Sequence, residues 1–140
     1  MALSLVAHFR DQAGLIEAMV DLAVEEFHHY REIIRMLQAT SVALLPDQKD
    51  PDLNKLNQCL SQGSQHLLCD RLLLAAIIER RVAERFGLIA DGLNASQSDA
   101  FYRAILNSEA RHWCLFMKLA GKAYCATPAD EVALVARLNK

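Results

Sequence analysis

The chain has 140 residues, of which 53% are hydrophobic, and a formal net charge of −2. This length suits one domain with one core, and this hydrophobic content excludes an intrinsically disordered protein. The charge excludes a strongly basic nucleic-acid-binding protein, so any RNA contact needs a local basic patch. No apolar run approaches the roughly 20 residues of a membrane span, and the start of the chain does not resemble a signal peptide. With four cysteines that lack zinc-ribbon spacing, these features predict a cytoplasmic protein with reduced thiols and no membrane partner.

Two helices are predicted in the first 40 residues. Residues 2–9 have the pattern of the end of a helix, because their apolar positions reach Met1 without a capping residue in front. We therefore expect a first core helix that is cut short. From about residue 11 to residue 38, inward positions recur at spacings of three and four, which predicts one long amphipathic helix.

Loop signals separate the next two predicted helices. Pro46 and its neighbours predict a loop over residues 40–50, and Asp50-Pro51 predicts the start of a short helix. That helix is expected to end before Gly63. A long helix is then predicted from about residue 65 to residue 89.

The last third of the chain is also predicted to be helical. Asp91-Gly92 is a typical helix stop, and Ser96 with Asp99 approximates a capping box at the start of a helix that runs to about Tyr124. Thr127-Pro128 predicts a further helix up to the end of the chain. Because no strand pattern occurs anywhere, the predicted fold class is all-α.

A Glu-x-x-His motif occurs on two of the predicted long helices. Glu26 precedes His29 by three positions, and Glu109 precedes His112 by three. Three residues are just under one helical turn, so both side chains of each pair leave the same face and can bind one metal ion. An overlapping pair is formed by Glu25 and His28, but the apolar stripe of the helix passes through the Glu26 and His29 positions.

A single glutamate, Glu79, lies on the apolar stripe of the long helix between the two motifs. Three inward carboxylates at similar depth would repel each other unless cations neutralise them. Mixed carboxylate and imidazole ligands favour a dinuclear site with non-haem iron or manganese over zinc. Di-iron carboxylate bundles take Glu-x-x-His from two helices and one Glu from each of two others, so one single-Glu helix is unaccounted for.

Three segments resemble a known family. Residues 67–86 are similar to the third core helix of the tRNA-(2-methylthio-N6-isopentenyladenosine) hydroxylases, which are ferritin-like non-haem di-iron monooxygenases. Residues 25–30 resemble their second core helix, and residues 101–103 with 108–112 resemble their fourth. The similarity covers most of residues 1–125. It implies one all-α domain over residues 1–140, a ferritin-like four-helix bundle whose first core helix is cut short.

The resemblance also implies a site and a reaction. The positions that match the metal ligands of the family are Glu26, His29, Glu79, Glu109 and His112. The implied cofactors are two iron ions, with O2 as co-substrate and an external electron donor. The implied reaction is hydroxylation of the isopentenyl group of a modified adenosine next to the tRNA anticodon.

Some alternatives stay open. The first ligand Glu of the family is expected roughly two helical turns before Met1, so the chain resembles a member that is truncated at both ends, incomplete as a domain and prone to self-association. The alternatives to a hydroxylase are a ferritin-like metal- or peroxide-handling protein and an inactive helical remnant. Similarly, Arg80, Arg81 and Arg85 are either a solvated helix face or a patch that contacts RNA phosphates.

Overall fold

The computed structural model describes residues 1–46, 48, 51–60, 64–93 and 97–124. These ranges contain helices and no strand, which confirms the predicted all-α class. The helices are α1 (Ala2–His8), α2 (Ala13–Ala39), α3 (Pro51–Gln58), α4 (Ser64–Gly92) and α5 (Gln97–Tyr124). Within the same ranges, no helix combines the length and the apolar character that a membrane span requires.

The helix boundaries agree closely with the sequence prediction. Helix α2 ends one residue after the predicted position, and α4 continues to Gly92, about one turn beyond residue 89. Three predicted features lie outside the described residues, namely the break at Gly63, the cap at Ser96 and the helix that begins at Thr127.

The chain forms two compact units, residues 1–54 and residues 55–140. In the first unit, α1 packs against α2. The buried residues of these two helices are all apolar: Ala2, Leu5, Leu15, Met19 and Leu22. The organisation of the whole chain as one domain stays a prediction.

In the second unit, α4 packs against α5 along most of their lengths. Helix α4 is buried on more than one side, because five successive residues from Leu72 to Ala76 are all buried. The sequence had indicated one apolar stripe, but the apolar run over residues 72–76 covers more than one face of the helix, so more than one face is buried there. On α5, the apolar residues Phe116 and Ala120 are both fully enclosed.

Helix α2 ends in a Schellman motif. The N–H of Ser41 donates to the carbonyl of Gln38, and the N–H of Val42 donates to the carbonyl of Leu37. Ser41 therefore occupies the left-handed position of this motif, with a φ of 56°. Glycine is the residue that adopts this conformation at no steric cost.

We expect Ser41→Gly to raise the free energy of unfolding by about 0.5 kcal/mol, because relief of the backbone strain outweighs the added flexibility of the unfolded chain. The measurement is urea denaturation followed by circular dichroism. The matched control is Thr40→Gly, at a residue with a φ of −97°, which should lower the stability. Equal effects of the two substitutions would contradict the assigned strain.

Candidate metal centre

Three predicted ligand residues lie close together in the second unit. Ligand atoms of Glu79, Glu109 and His112 all lie within 4.8 Å of one another. Their exposed fractions are 7%, 3% and 4%, so the group is enclosed. The His112 Nδ1 is 3.6 Å from the Glu109 Oε2. Helices α4 and α5 therefore bring two carboxylates and one imidazole together in the interior.

The local sequence explains these positions. On α5, buried Ile105 lies one turn before Glu109, and buried Phe116 lies one turn after His112. The two polar residues thus continue a buried apolar stripe. On α4, Ala75 and Ala83 lie one turn on either side of Glu79 and are both buried. Small side chains at these two positions leave space beside the Glu79 carboxylate.

The group has an electrostatic cost without a cation. At an effective dielectric constant of about 20, two carboxylate charges about 5 Å apart repel each other by roughly 3 kcal/mol. Taking each charge out of water adds a further penalty. A bound cation would attract both carboxylates, and this attraction would offset the repulsion and the desolvation penalty.

The donor set fits a non-haem iron or manganese site. Two carboxylates and an imidazole are the ligands that these ions prefer, whereas thiolates favour zinc or iron–sulfur clusters. The described cysteines are free thiols, Cys59, Cys69 and Cys114, and the group of three contains none of them. The residues present therefore suit the metal that the sequence resemblance implies.

His112 has a hydroxyl beside its second ring nitrogen. The Oγ of Ser108, which is itself buried, is 3.5 Å from the His112 Nε2. Arg111 donates from Nη2 to this Oγ at 3.1 Å and from Nη1 to the backbone carbonyl of Asn107 at 3.3 Å. Ser108 was not among the predicted site residues. Its position four residues before His112, on the same helix face, was the available signal.

The other Glu-x-x-His pair belongs to the first unit. The His29 Nδ1 is 3.9 Å from the Glu26 Oε1, and both residues are partly buried. Glu25 and His28, the overlapping pair, are exposed. This exposure pattern agrees with the register inferred from the apolar stripe of α2. The assignment of Glu26 and His29 as metal ligands stays a prediction.

A second buried carboxylate lies on α4 and was not predicted from the sequence. Asp70 is 6% exposed and lines a cavity of about 260 Å³ that also contacts Leu56 and Cys59. It precedes Glu79 by nine residues, which is about 13 Å along a helix axis. Asp70 therefore lies too far from the buried group to act as a further ligand.

The three arginines of α4 that were predicted as an RNA-contacting patch have different surroundings. Arg80 forms an ion pair with Glu84 at 3.1 Å, and its guanidinium carbon is 5.7 Å from the centre of the Trp113 ring. Arg85 is exposed and Arg81 is partly buried. Because Arg81 and Arg85 are four residues apart, they share one face of α4, next to the face that carries Arg80.

Comparison with known proteins places the chain in a family. The model of the family described as tRNA-(MS[2]IO[6]A)-hydroxylase (MiaE) matches residues 1–139. The chain belongs to the MiaE family. This membership confirms the resemblance found in the sequence.

Two MiaE-family relatives carry the name tRNA 2-(methylsulfanyl)-N(6)-isopentenyladenosine(37) hydroxylase. The protein from Pseudomonas putida is 34% identical over 119 residues, which are 85% of this chain and 58% of that protein. The protein from Salmonella typhimurium is 31% identical over 106 residues, which are 76% of this chain and 39% of that protein. The chain thus spans less than two thirds of the length of either relative.

A solved structure supports the ferritin-like fold. It is a protein with aldehyde deformylating oxygenase activity from Synechococcus, and it matches with a TM-score of 0.84 at 29% identity. The match covers 99% of this chain and 66% of that protein. The predicted all-α, ferritin-like class is therefore confirmed.

Proposed function

We propose that the chain carries the di-iron site of an O2-dependent tRNA hydroxylase. The substrate would be 2-methylthio-N6-isopentenyladenosine next to the anticodon, hydroxylated on its isopentenyl group. The observation that carries this proposal is the buried group of Glu79, Glu109 and His112. The names of the two MiaE relatives support the choice of substrate.

The proposed ligands are the five residues that match the metal ligands of the family. Glu79, Glu109 and His112 would bind from α4 and α5, and Glu26 and His29 would bind from α2. When bound, a pair of non-haem iron ions supplies the redox chemistry that allows O2 to hydroxylate a C–H bond. The carboxylates would offset part of the positive charge of the iron(II) ions, whereas the neutral imidazoles would add donor atoms without adding charge.

The apolar side chains around the group have a separate role. Ile105 and Phe116 are buried beside the two ligand positions of α5 and keep bulk water away from them. Exclusion of water strengthens every charge interaction in the site and limits side reactions of oxidising species.

The reaction needs two partners beyond the chain. Hydroxylation by O2 inserts one oxygen atom into the C–H bond and releases the other as water, which consumes two electrons and two protons. An electron-transfer partner would supply the electrons. The tRNA would contact a basic surface for which Arg81 and Arg85, which share one face of α4, are candidates together with Arg80.

The test is anaerobic loading of the full 140-residue chain with iron(II), followed by O2, a chemical reductant and tRNA that bears the isopentenyl nucleoside. We expect the hydroxylated nucleoside in digests of the tRNA analysed by mass spectrometry. The variant with both Arg81→Ala and Arg85→Ala should bind the same iron but bind tRNA more weakly, with a smaller dependence on salt.

The controls separate this proposal from its rivals. Iron binding with O2 or peroxide consumption but no modified nucleoside would favour a metal- or peroxide-handling protein. Absence of iron binding would favour an inactive helical protein. The variant Lys118→Ala, which removes a positive charge from an exposed position of α5, should leave both iron and tRNA binding unchanged.

A further inference from the structure

We infer that Ser108 is a positioning residue for His112. Its hydroxyl, held by the Arg111 guanidinium, keeps the imidazole rotated so that Nδ1 faces the carboxylates of the buried group. This inference rests on the proposed function, because it assigns His112 a lone pair that is presented to a metal ion.

The geometry gives the two ring nitrogens of His112 different neighbours. The Nδ1 is 3.6 Å from the Glu109 Oε2, whereas the Nε2 is 3.5 Å from the Ser108 Oγ. A rotation of the ring by half a turn would place the Cδ2 carbon where Nδ1 now lies and the Cε1 carbon where Nε2 now lies. The Ser108 hydroxyl opposes this rotation, because the rotated ring would lose the polar partner of Nε2 in a buried setting.

The distance between Nε2 and Oγ is long for a formed hydrogen bond, which is about 2.7–3.2 Å. Hydrogen bonds at metal and catalytic sites are often longer before the ligand binds. When a metal ion takes the lone pair on Nδ1, the ring proton resides on Nε2. This N–H then donates to the Ser108 oxygen, which has a lone pair available for it.

Arg111 fixes the position of the hydroxyl. Its Nη2 donates to the Ser108 Oγ at 3.1 Å, and its Nη1 donates to the backbone carbonyl of Asn107 at 3.3 Å. The guanidinium is planar and presents both donors in a rigid arrangement. The hydrogen bond to the backbone carbonyl therefore also fixes the donor that reaches the hydroxyl. Arg111 therefore acts on His112 through Ser108.

The first experiment is titration of the full chain with cobalt(II), followed by its visible absorption bands. We expect Ser108→Ala to weaken cobalt(II) binding by about tenfold and to change the absorption spectrum, as loss of a hydrogen bond to a ligand histidine does. Ser108→Thr, which keeps the hydroxyl, should restore most of the affinity. The matched control is Asn107→Ala, at the adjacent exposed position, because it leaves the backbone carbonyl that Arg111 uses.

A second variant tests the chain of contacts. Arg111 is exposed, so Arg111→Ala should leave the helix intact and weaken binding by about threefold. If Arg111 acts through Ser108, adding Arg111→Ala to Ser108→Ala should cause no further loss. Additive losses from the two substitutions would contradict this dependence.

A third measurement needs no metal. The ¹⁵N chemical shifts of the His112 ring, assigned with a His112→Gln variant, report the tautomer and hydrogen bonds of the imidazole. We expect Ser108→Ala to change these shifts in the metal-free chain and Asn107→Ala to leave them unchanged. A substitution that affected only helix packing would not change the ring nitrogens selectively.

The outcomes for the two proposals can be told apart. Unchanged ring shifts and unchanged cobalt(II) affinity in Ser108→Ala would overturn the positioning role while leaving the metal site in place. A wild-type chain that binds no metal would overturn both. Changed ring shifts, weaker metal binding and rescue by Ser108→Thr would together establish the role.

Discussion

Replacement of Glu79 by alanine is expected to reduce bound iron from two ions per chain to at most one, and to abolish any hydroxylation of tRNA. The physical reason is that, among the described residues, Glu79 is the one proposed ligand that α4 contributes to the buried group. Loss of a carboxylate removes both a donor atom and the negative charge that offsets the cations. The measurement is iron analysis after anaerobic loading and gel filtration.

The matched control for this prediction is Glu84→Ala. Glu84 lies on the same helix, but its side chain is 62% exposed and pairs with Arg80 at the surface. Its removal should leave the iron content unchanged. A Glu79→Gln variant keeps the side-chain volume but removes a buried charge. In the metal-free state, its free energy of unfolding should therefore be higher than that of the wild type or lower by at most about 1 kcal/mol. Wild-type iron content in Glu79→Ala would refute its assignment as a ligand.

The largest expected effect on stability is that of Phe116→Ala. Phe116 has no exposed surface, and a buried phenylalanine replaced by alanine typically costs about 3–5 kcal/mol. Such a loss is a large part of the stability of a small domain. We therefore expect the unfolding transition of the second unit to shift to a much lower urea concentration, or to disappear.

An exposed phenylalanine provides the comparison. Phe27 on α2 is 64% exposed, so Phe27→Ala should change the free energy of unfolding by less than about 0.5 kcal/mol. Because Phe116 lies one turn from His112, Phe116→Ala should also weaken metal binding. Similar stabilities of the two variants would mean that the packing around α5 is looser than the structure indicates.

The sequence was sufficient for the helices because their signals are local. Spacings of three and four, Pro51 at a helix start and Asp91-Gly92 at a helix end lie within a few residues of one another along the chain. The end of α2 was less predictable. The left-handed conformation of Ser41 depends on which backbone carbonyls still need a hydrogen-bond donor where the helix ends. Serine is not a residue type that is typical of this conformation.

Burial was predicted only in part. Glu109 and His112, which were predicted to face inward from one side of α5, are both buried. On α4 the prediction of one stripe omitted Leu73 and Leu74, because the number of helix faces that are covered depends on neighbours from distant parts of the chain. The buried Asp70 was missed for the same reason.

By itself, the sequence determined the helical class, the resemblance to a family and the residue types suited to iron. Those properties follow from side-chain chemistry and from spacings within single helices. Only the tertiary structure decided that Glu79 meets Glu109 and His112, since these residues are about thirty positions apart and their approach depends on how α4 packs against α5. It also decided that the hydroxyl of Ser108 faces one ring nitrogen of His112, because side-chain rotation is set by surrounding contacts and not by spacing.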